Sequence, residues 1–162
     1  MSQFDARQFR DTMGQFGTGV VIATGCLDGA PAGFAAQSFV SLSLDPPLVA
    51  LCPGKGSTSW PKLRDSGHFC INILSASQKA ICDVMAQPGA DKFSNVEWRA
   101  GSTGSPILEG AVAYVDCVIE AEHDAGDHTI AVGRVVDFQV ENSSAEPLLF
   151  FRGQYGQFQP LS

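Results

Sequence analysis

Glycine and proline punctuate this chain: seventeen of one and nine of the other separate short runs rich in valine, isoleucine and phenylalanine. Punctuation of that density disfavours a helix bundle and favours many strands joined by turns. The clearest run, residues 38–44, alternates hydroxyl-bearing and bulky apolar side chains. An extended backbone there has one polar face and one face that can enter a core. Pro46 and Pro47 end the run, because proline has no N–H for a ladder.

The remaining elements follow from periodicity and turn chemistry. Residues 5–16 place Phe9, Met13 and Phe16 on one helical face, and Gly17 can end that helix in a left-handed conformation. Residues 19–26 read as a strand, Asp28 and Gly29 as a hairpin turn, and 32–44 as the returning strand. A short apolar strand over 48–52 leads through the loop 53–59 to a helix near Trp60 and Pro61. Residues 68–74 form a strand, and Ser77 caps a helix to Gln87 with Ile81, Val84 and Met85 inward. Residues 88–105 read as a long loop containing Phe93 and Trp98. In 111–122, Ala113, Val115, Cys117, Ile119 and Ala121 share one face, and 128–140 and 148–158 complete the β content. About seven strands with short helices between them suit a mainly β fold, a closed antiparallel barrel without exposed edges. No linker or repeat divides the 162 residues, so 1–162 is one domain that buries about 70% of its unfolded surface.

Composition removes several functions. A net charge of −7 and an isoelectric point near 4.7 argue against nucleic acid, whose phosphates need a basic patch. No apolar stretch approaches the ~18 residues of a membrane span, and the N-terminal residues lack a signal pattern, so a cytoplasmic location is expected. The five cysteines, Cys26, Cys52, Cys70, Cys82 and Cys117, are odd in number and form no C-x-x-C; they read as small buried thiols. His68, His123 and His128 show no metal-ligand spacing, so no metal site is expected.

Two segments can carry chemistry. Residues 53–59 combine two glycines, Lys55 and three hydroxyls before a helix start, a pattern that suits an anion and equally suits a solvated turn with a serine cap. His128 follows Gly126 and Asp127 at the head of a strand. Such a position presents a side chain rigidly to a ligand, or merely begins the strand. No G-x-G-x-x-G fingerprint follows a strand.

The segment from Ser38 to Leu48 and the triplet Gly126, Asp127 and His128 together resemble the short-chain flavin reductases, the reductase components of two-component flavin-dependent monooxygenases. Gly104, Ser105 and Pro106, then 113–118, then Gly133, Arg134 and Val135 follow in that family's order, so the resemblance spans residues 8–158. Ala35 stands where many relatives carry threonine.

The resemblance implies a split barrel, usually a homodimer with flavin near the subunit interface. It also implies an NAD(P)H:flavin oxidoreductase that reduces FMN or FAD and passes reduced flavin to a separate monooxygenase component. On that basis Lys55, Ser57 and Ser59 hold the flavin phosphate. Ala36, Gln37, Ser38 and the backbone of Phe39 run along the ring beside Cys52 and Pro53, and Phe93 covers it. His128 becomes the catalytic candidate at the nicotinamide, where Asp127 can orient it. The family binds NADH or NADPH folded against the flavin, without a Rossmann domain. Two other readings stand beside this one: a non-catalytic flavin-binding protein, and an oxidase of the pyridoxamine-phosphate type on a related barrel.

Overall fold

The computed structural model describes residues 3–89 and 91–162; Met1 and Ser2 of the N-terminal segment and Ala90 of the long loop lie outside the described residues. Helix α1 spans Ala6–Met13, and the Asp5 carboxylate caps it by accepting from the Arg7 amide at 2.9 Å. It ends at Gly14 rather than Gly17, and Gly14 stays right-handed with φ −62°. The Gly14 amide still reaches the Arg10 carbonyl, so no left-handed residue is needed to close the last turn. Phe9, Met13 and Phe16 are 61%, 52% and 73% exposed, an apolar face left open to solvent.

After β1 (Thr18–Gly19), strands β2 (Val21–Leu27) and β3 (Ala30–Ala36) form a hairpin. Its turn residues Asp28 and Gly29 both have positive φ, 52° and 80°, as a two-residue hairpin of this twist requires. The single strand expected over 32–44 is two strands. β3 stops at Ala36, and β4 begins only at Val40 (Val40–Leu44), antiparallel to β5 (Pro47–Leu51). Helix α2 (Trp60–Ser66) has Pro61 in its first turn and closes on Gly67 at φ 79°, leading into β6 (His68–Ile73).

Ser75, not Ser77, starts the next helical stretch, a 3₁₀ turn over Ala76–Gln78 that runs into α3 (Lys79–Met85). The Gln78 side chain accepts from the Ser75 amide at 3.0 Å and completes a reciprocal capping box, which Ser77 has no partner to make. Cys82 and Met85 are buried while Val84 faces outward. The expected loop over 88–105 contains β7 (Trp98–Ala100), paired with β8 (Pro106–Leu108). A long hairpin of β9 (Ala113–Ala125) and β10 (His128–Val140) follows, then a small one of β11 (Leu149–Phe151) and β12 (Gln154–Gly156).

Seven strands form one antiparallel sheet in the order β3-β2-β6-β9-β10-β5-β4. Consecutive strands β3 and β4 therefore lie at opposite ends of it, and residues 37–39 carry the chain from one end to the other. Among the described residues no ladder joins β3 to β4, so hydrogen bonding does not close the expected barrel. Phe69, Ile71, Leu51, Leu63 and Trp60 fill the main core, with the Trp60 ring edge-on to Phe34 and Phe69 at 6.3 and 6.1 Å. Ile22, Leu74, Met85 and Leu108 form a second cluster. Strand β2 feeds both, since Val21 and Ala23 point to one and Ile22 to the other. Gly133 lets β10 cross closely over Phe69: a Cβ there would lie 2.5 Å from the ring.

Candidate functional site

The site is assembled where the tip of the β9–β10 hairpin meets the loop after β5. The Thr129 amide donates to the Pro53 carbonyl, and the Lys55 amide to the Asp127 carbonyl, each at 2.9 Å. Gly126, at φ 67°, makes the turn that sets His128 at the head of β10. There His128 Nδ1 lies 2.8 Å from Asp127 Oδ1. An ionised carboxylate can only accept, and the hydrogen bond to His128 holds the Asp127 carboxyl below its usual range. Nδ1 therefore carries a proton, which fixes the ring's orientation and leaves Nε2 as the nitrogen turned to the cleft. Nε2 looks over Gly54, where a Cβ would stand 3.7 Å from it.

His128 lines a cleft of about 320 Å³ together with Phe34, Ala35, Ala36, Gln37, Ser38, Cys52, Pro53 and Gly54. The structure thus gathers His128 with Ala36, Gln37, Ser38, Cys52 and Pro53, residues up to about ninety positions apart in the chain. Ser38 bolts this wall together. Its hydroxyl accepts from the Cys52 amide at 3.0 Å and donates to the Cys52 carbonyl at 3.4 Å. Gln37 accepts from the Thr18 hydroxyl at 3.1 Å. Residues 37–39 belong to no ladder, so their backbone groups line the gap between two sheet ends and can serve a ligand. The Phe39 ring packs against the main core and faces a separate apolar pocket with Phe16 and Ile73; Phe39 is not among the residues lining the cleft.

Phe34 and Ala35 also line a second cleft of about 210 Å³, whose other walls are residues 56–59, 85–88 and Lys92. The two clefts adjoin at the shared wall of Phe34 and Ala35 and are together termed the trough. Ser57 and Ser59 both line this second part, and Ser57 has a structural job besides. Its hydroxyl oxygen accepts from the amides of Ser59 and Trp60 at 3.3 and 3.0 Å, so it caps α2. Those helix-start amides are taken, and Pro61 has none. Lys55 turns away: its ammonium pairs with Asp124 at 3.2 Å, both exposed, and it is absent from the cleft walls.

The cation in the trough is Lys92, which sequence reasoning missed. It is 9% exposed, and its Nζ donates to Met85 O at 3.0 Å, Gly33 O at 3.1 Å and Ser59 Oγ at 3.4 Å. Burial, and then the charge of Lys62, lower its pKa. It sits in a stretch without periodicity, so no local pattern could have singled it out. Phe93 lines neither large cleft. Its ring lies edge-on to Trp98 at 6.4 Å and beneath Gly33, where a Cβ would come within 3.2 Å of it.

The acidic strand end at 120–127 also ties down the site: Glu122 accepts from the Trp60 indole at 3.0 Å, as Asp124 pairs with Lys55. Cys70, Cys82 and Cys117 are buried, and burial pushes the Cys117 thiol up to about 12, out of reach of thiolate chemistry. Among the described residues no group of three His, Cys, Asp or Glu side chains is placed to hold a metal.

The trough suits a long ligand with a flat, polar-edged ring at one end and an anion at the other. A flavin has that shape. The ring end offers Gln37, Ser38 and the His128 ring, and the anion end offers the hydroxyls of Ser57 and Ser59, with the buried Lys92 in the same wall.

Comparison with known proteins points the same way. The family described as "Flavin reductase like domain" matches residues 13–159. The chain is 48% identical to the reductase subunit HsaB of a flavin-dependent monooxygenase from Rhodococcus jostii, over 96% of this chain and 80% of that one. Nitrilotriacetate monooxygenase component B from Mycobacterium thermoresistibile superposes with a TM-score of 0.91 at 45% identity, over 95% of this chain and 87% of that one. The NADH:FAD oxidoreductase SgcE6 of Streptomyces globisporus superposes with a TM-score of 0.89 at 34% identity, over 100% and 94%.

Proposed function

This chain belongs to the flavin reductase like domain family, and from that premise we propose that it is an NAD(P)H:flavin oxidoreductase serving a separate flavin-dependent monooxygenase component. The observation that carries the reading is the pair of adjoining clefts: His128 lines the one that suits a ring, and Ser59, backed by the buried Lys92, lines the one that suits an anion. FMN or FAD lies along the two. The bound flavin supplies the hydride acceptor, and NADH or NADPH supplies the hydride.

Hydride transfer needs no protein nucleophile, only donor and acceptor atoms held about 3–3.5 Å apart. The protein's work is therefore positional. Ser38 holds the β3–β4 linker against Cys52, so the backbone of 36–39 meets the ring edge. Ser57 and Ser59 receive the phosphate, with Lys55 at the outer edge of the same loop, while Phe93 supports the trough from beneath Gly33. His128, oriented through Nδ1 by Asp127, offers Nε2 to the carboxamide N–H of the nicotinamide.

The rest of the reading follows the family. The seven-stranded sheet is the split barrel, with the β3–β4 gap as its split, and 1–162 is one domain. The molecule is a homodimer, supported by the exposed apolar side chains of α1 and by Leu44 and Phe138, 91% and 70% exposed. Among the described residues no helix is long and apolar enough to cross a membrane, and we place the protein in the cytoplasm, where nicotinamide pools supply its reductant.

With oxygen present, purified protein and catalytic flavin should consume NADH or NADPH, form hydrogen peroxide and hydroxylate no organic substrate. Hydroxylation by this chain alone would overturn the two-component reading.

A further inference from the structure

Lys92 is 9% exposed, yet among the described residues no carboxylate lies in ion-pair range of it. An ammonium has three N–H donors and no acceptor. Here they go to the carbonyls of Gly33 and Met85 and the hydroxyl of Ser59. A cation buried among neutral acceptors is poorly compensated, because transfer from water is recovered fully only by an opposite charge. Lys92 and Ser59 both line two openings, and of these only the second cleft, about 210 Å³ against about 10 Å³, has room for an anionic group.

The Ser59 hydroxyl makes the link. Its residue is 6% exposed, and its oxygen accepts from Lys92 while its own proton reaches no protein acceptor among the described residues. An accepting hydroxyl points its proton away from the donor, which leaves it available to a ligand in the cleft that Ser59 lines.

Resting on the flavin reading above, we propose that Lys92 is a positioning residue for the flavin phosphate. It acts through Ser59, whose hydroxyl it aims and polarises, and its charge makes affinity for a phosphorylated flavin depend on pH. Four elements pack around it, β3 through Gly33, the 53–59 loop through Ser59, α3 through Met85, and α2. The charged group among them whose field reaches Lys92 is Lys62 on α2, and together with burial it lowers the Lys92 pKa. A phosphate favours the protonated form, so phosphate binding and Lys92 protonation are linked. As pH rises through the lysine's lowered pKa, the charge and its hold on the phosphate are lost together. The phosphate's own second ionisation, near pH 6, is the same in wild type and in a Lys92 variant, so comparing the two separates it from the lysine's.

The test is titration of the apoprotein with FMN and with riboflavin, followed by flavin fluorescence across neutral and alkaline pH. Riboflavin carries any titration of the ring itself, so the ratio of the two affinities isolates the phosphate. For the wild type this ratio should fall as pH rises. Lys92→Met should lower it by about 10- to 100-fold at neutral pH and flatten its pH profile, Lys92→Arg should restore most of it, and adding Ser59→Ala to Lys92→Met should cost little more. A folded Lys92→Met protein with an unchanged ratio would overturn the proposal. So would a wild-type ratio indifferent to pH, a readout that stands even if the variant does not fold. Binding of neither flavin by the wild type would instead defeat the flavin reading, and this inference with it.

Discussion

At the scale of residues, His128 and Ser57 show how differently two polar side chains in one site are used. His128 is half-exposed and held at one nitrogen by Asp127, so its other nitrogen is offered outward. His128→Ala should raise the KM for NAD(P)H or slow hydride transfer, by about 5- to 150-fold in kcat/KM, while flavin affinity changes little. Steady-state kinetics beside a flavin titration separates the two effects, and unchanged hydride transfer in a folded, flavin-loaded variant would leave His128 as a strand start. Ser57 accepts two helix-start amides, so Ser57→Ala should lower stability by about 1 kcal/mol, read as a shift in the thermal midpoint, and should weaken FMN as well. Ser59, which caps nothing among the described residues, should weaken FMN on alanine replacement with little loss of stability. Lys55→Ala should cost FMN binding less than Lys92→Met, because an exposed pair with Asp124 is worth little.

At the scale of elements, the sequence was legible where one local pattern decides the outcome. The Asp28–Gly29 turn, α2 with its Pro61, and the start of β10 at His128 all follow from short-range chemistry. The break at 37–39 was not legible, because residues 38–44 alternate as one strand should. Only the pairing of β3 with β2, and of β4 with β5 at the far end of the sheet, forces the chain out of register. The 88–105 stretch hid both a small hairpin and Lys92, since β7 is exposed along its length and leaves no periodic trace. A buried carboxylate anchors that hairpin: Asp116 accepts from the Thr103 amide at 2.9 Å and its hydroxyl at 2.7 Å, and burial raises its pKa. In the unfolded chain its pKa is lower, so Asp116 holds its proton longer in the folded state. Its contribution to stability should therefore fall as pH rises from the ordinary aspartate range through its raised value. Denaturant midpoints of wild type and Asp116→Asn across that range would check this, the difference between them shrinking or reversing as pH rises. Gly133→Val should destabilise by about 1–3 kcal/mol, since even a Cβ would press on Phe69 and on Cys117, at 2.5 and 2.9 Å.

At the scale of the whole molecule, α1, β4 and β10 all carry large apolar side chains that the chain leaves exposed, Phe9, Leu44 and Phe138 among them, as a surface that meets a second copy would. Sedimentation should find a dimer, and Leu44→Lys combined with Phe138→Lys should shift it toward monomer; a wild-type monomer at micromolar concentration would remove that part of the reading. On the proposed function, flavin bound in the trough is reduced by a nicotinamide and then released to another protein. The most direct measurement is therefore made without oxygen. Purified protein is mixed with FMN or FAD and then with NADH or NADPH, and the visible absorbance of the flavin is followed beside that of the nicotinamide. The account predicts that the flavin bleaches as the nicotinamide is oxidised, one for one, at a rate that falls in His128→Ala. Tight flavin binding with no oxidation of either nicotinamide would contradict it and leave a flavin carrier in place of a reductase.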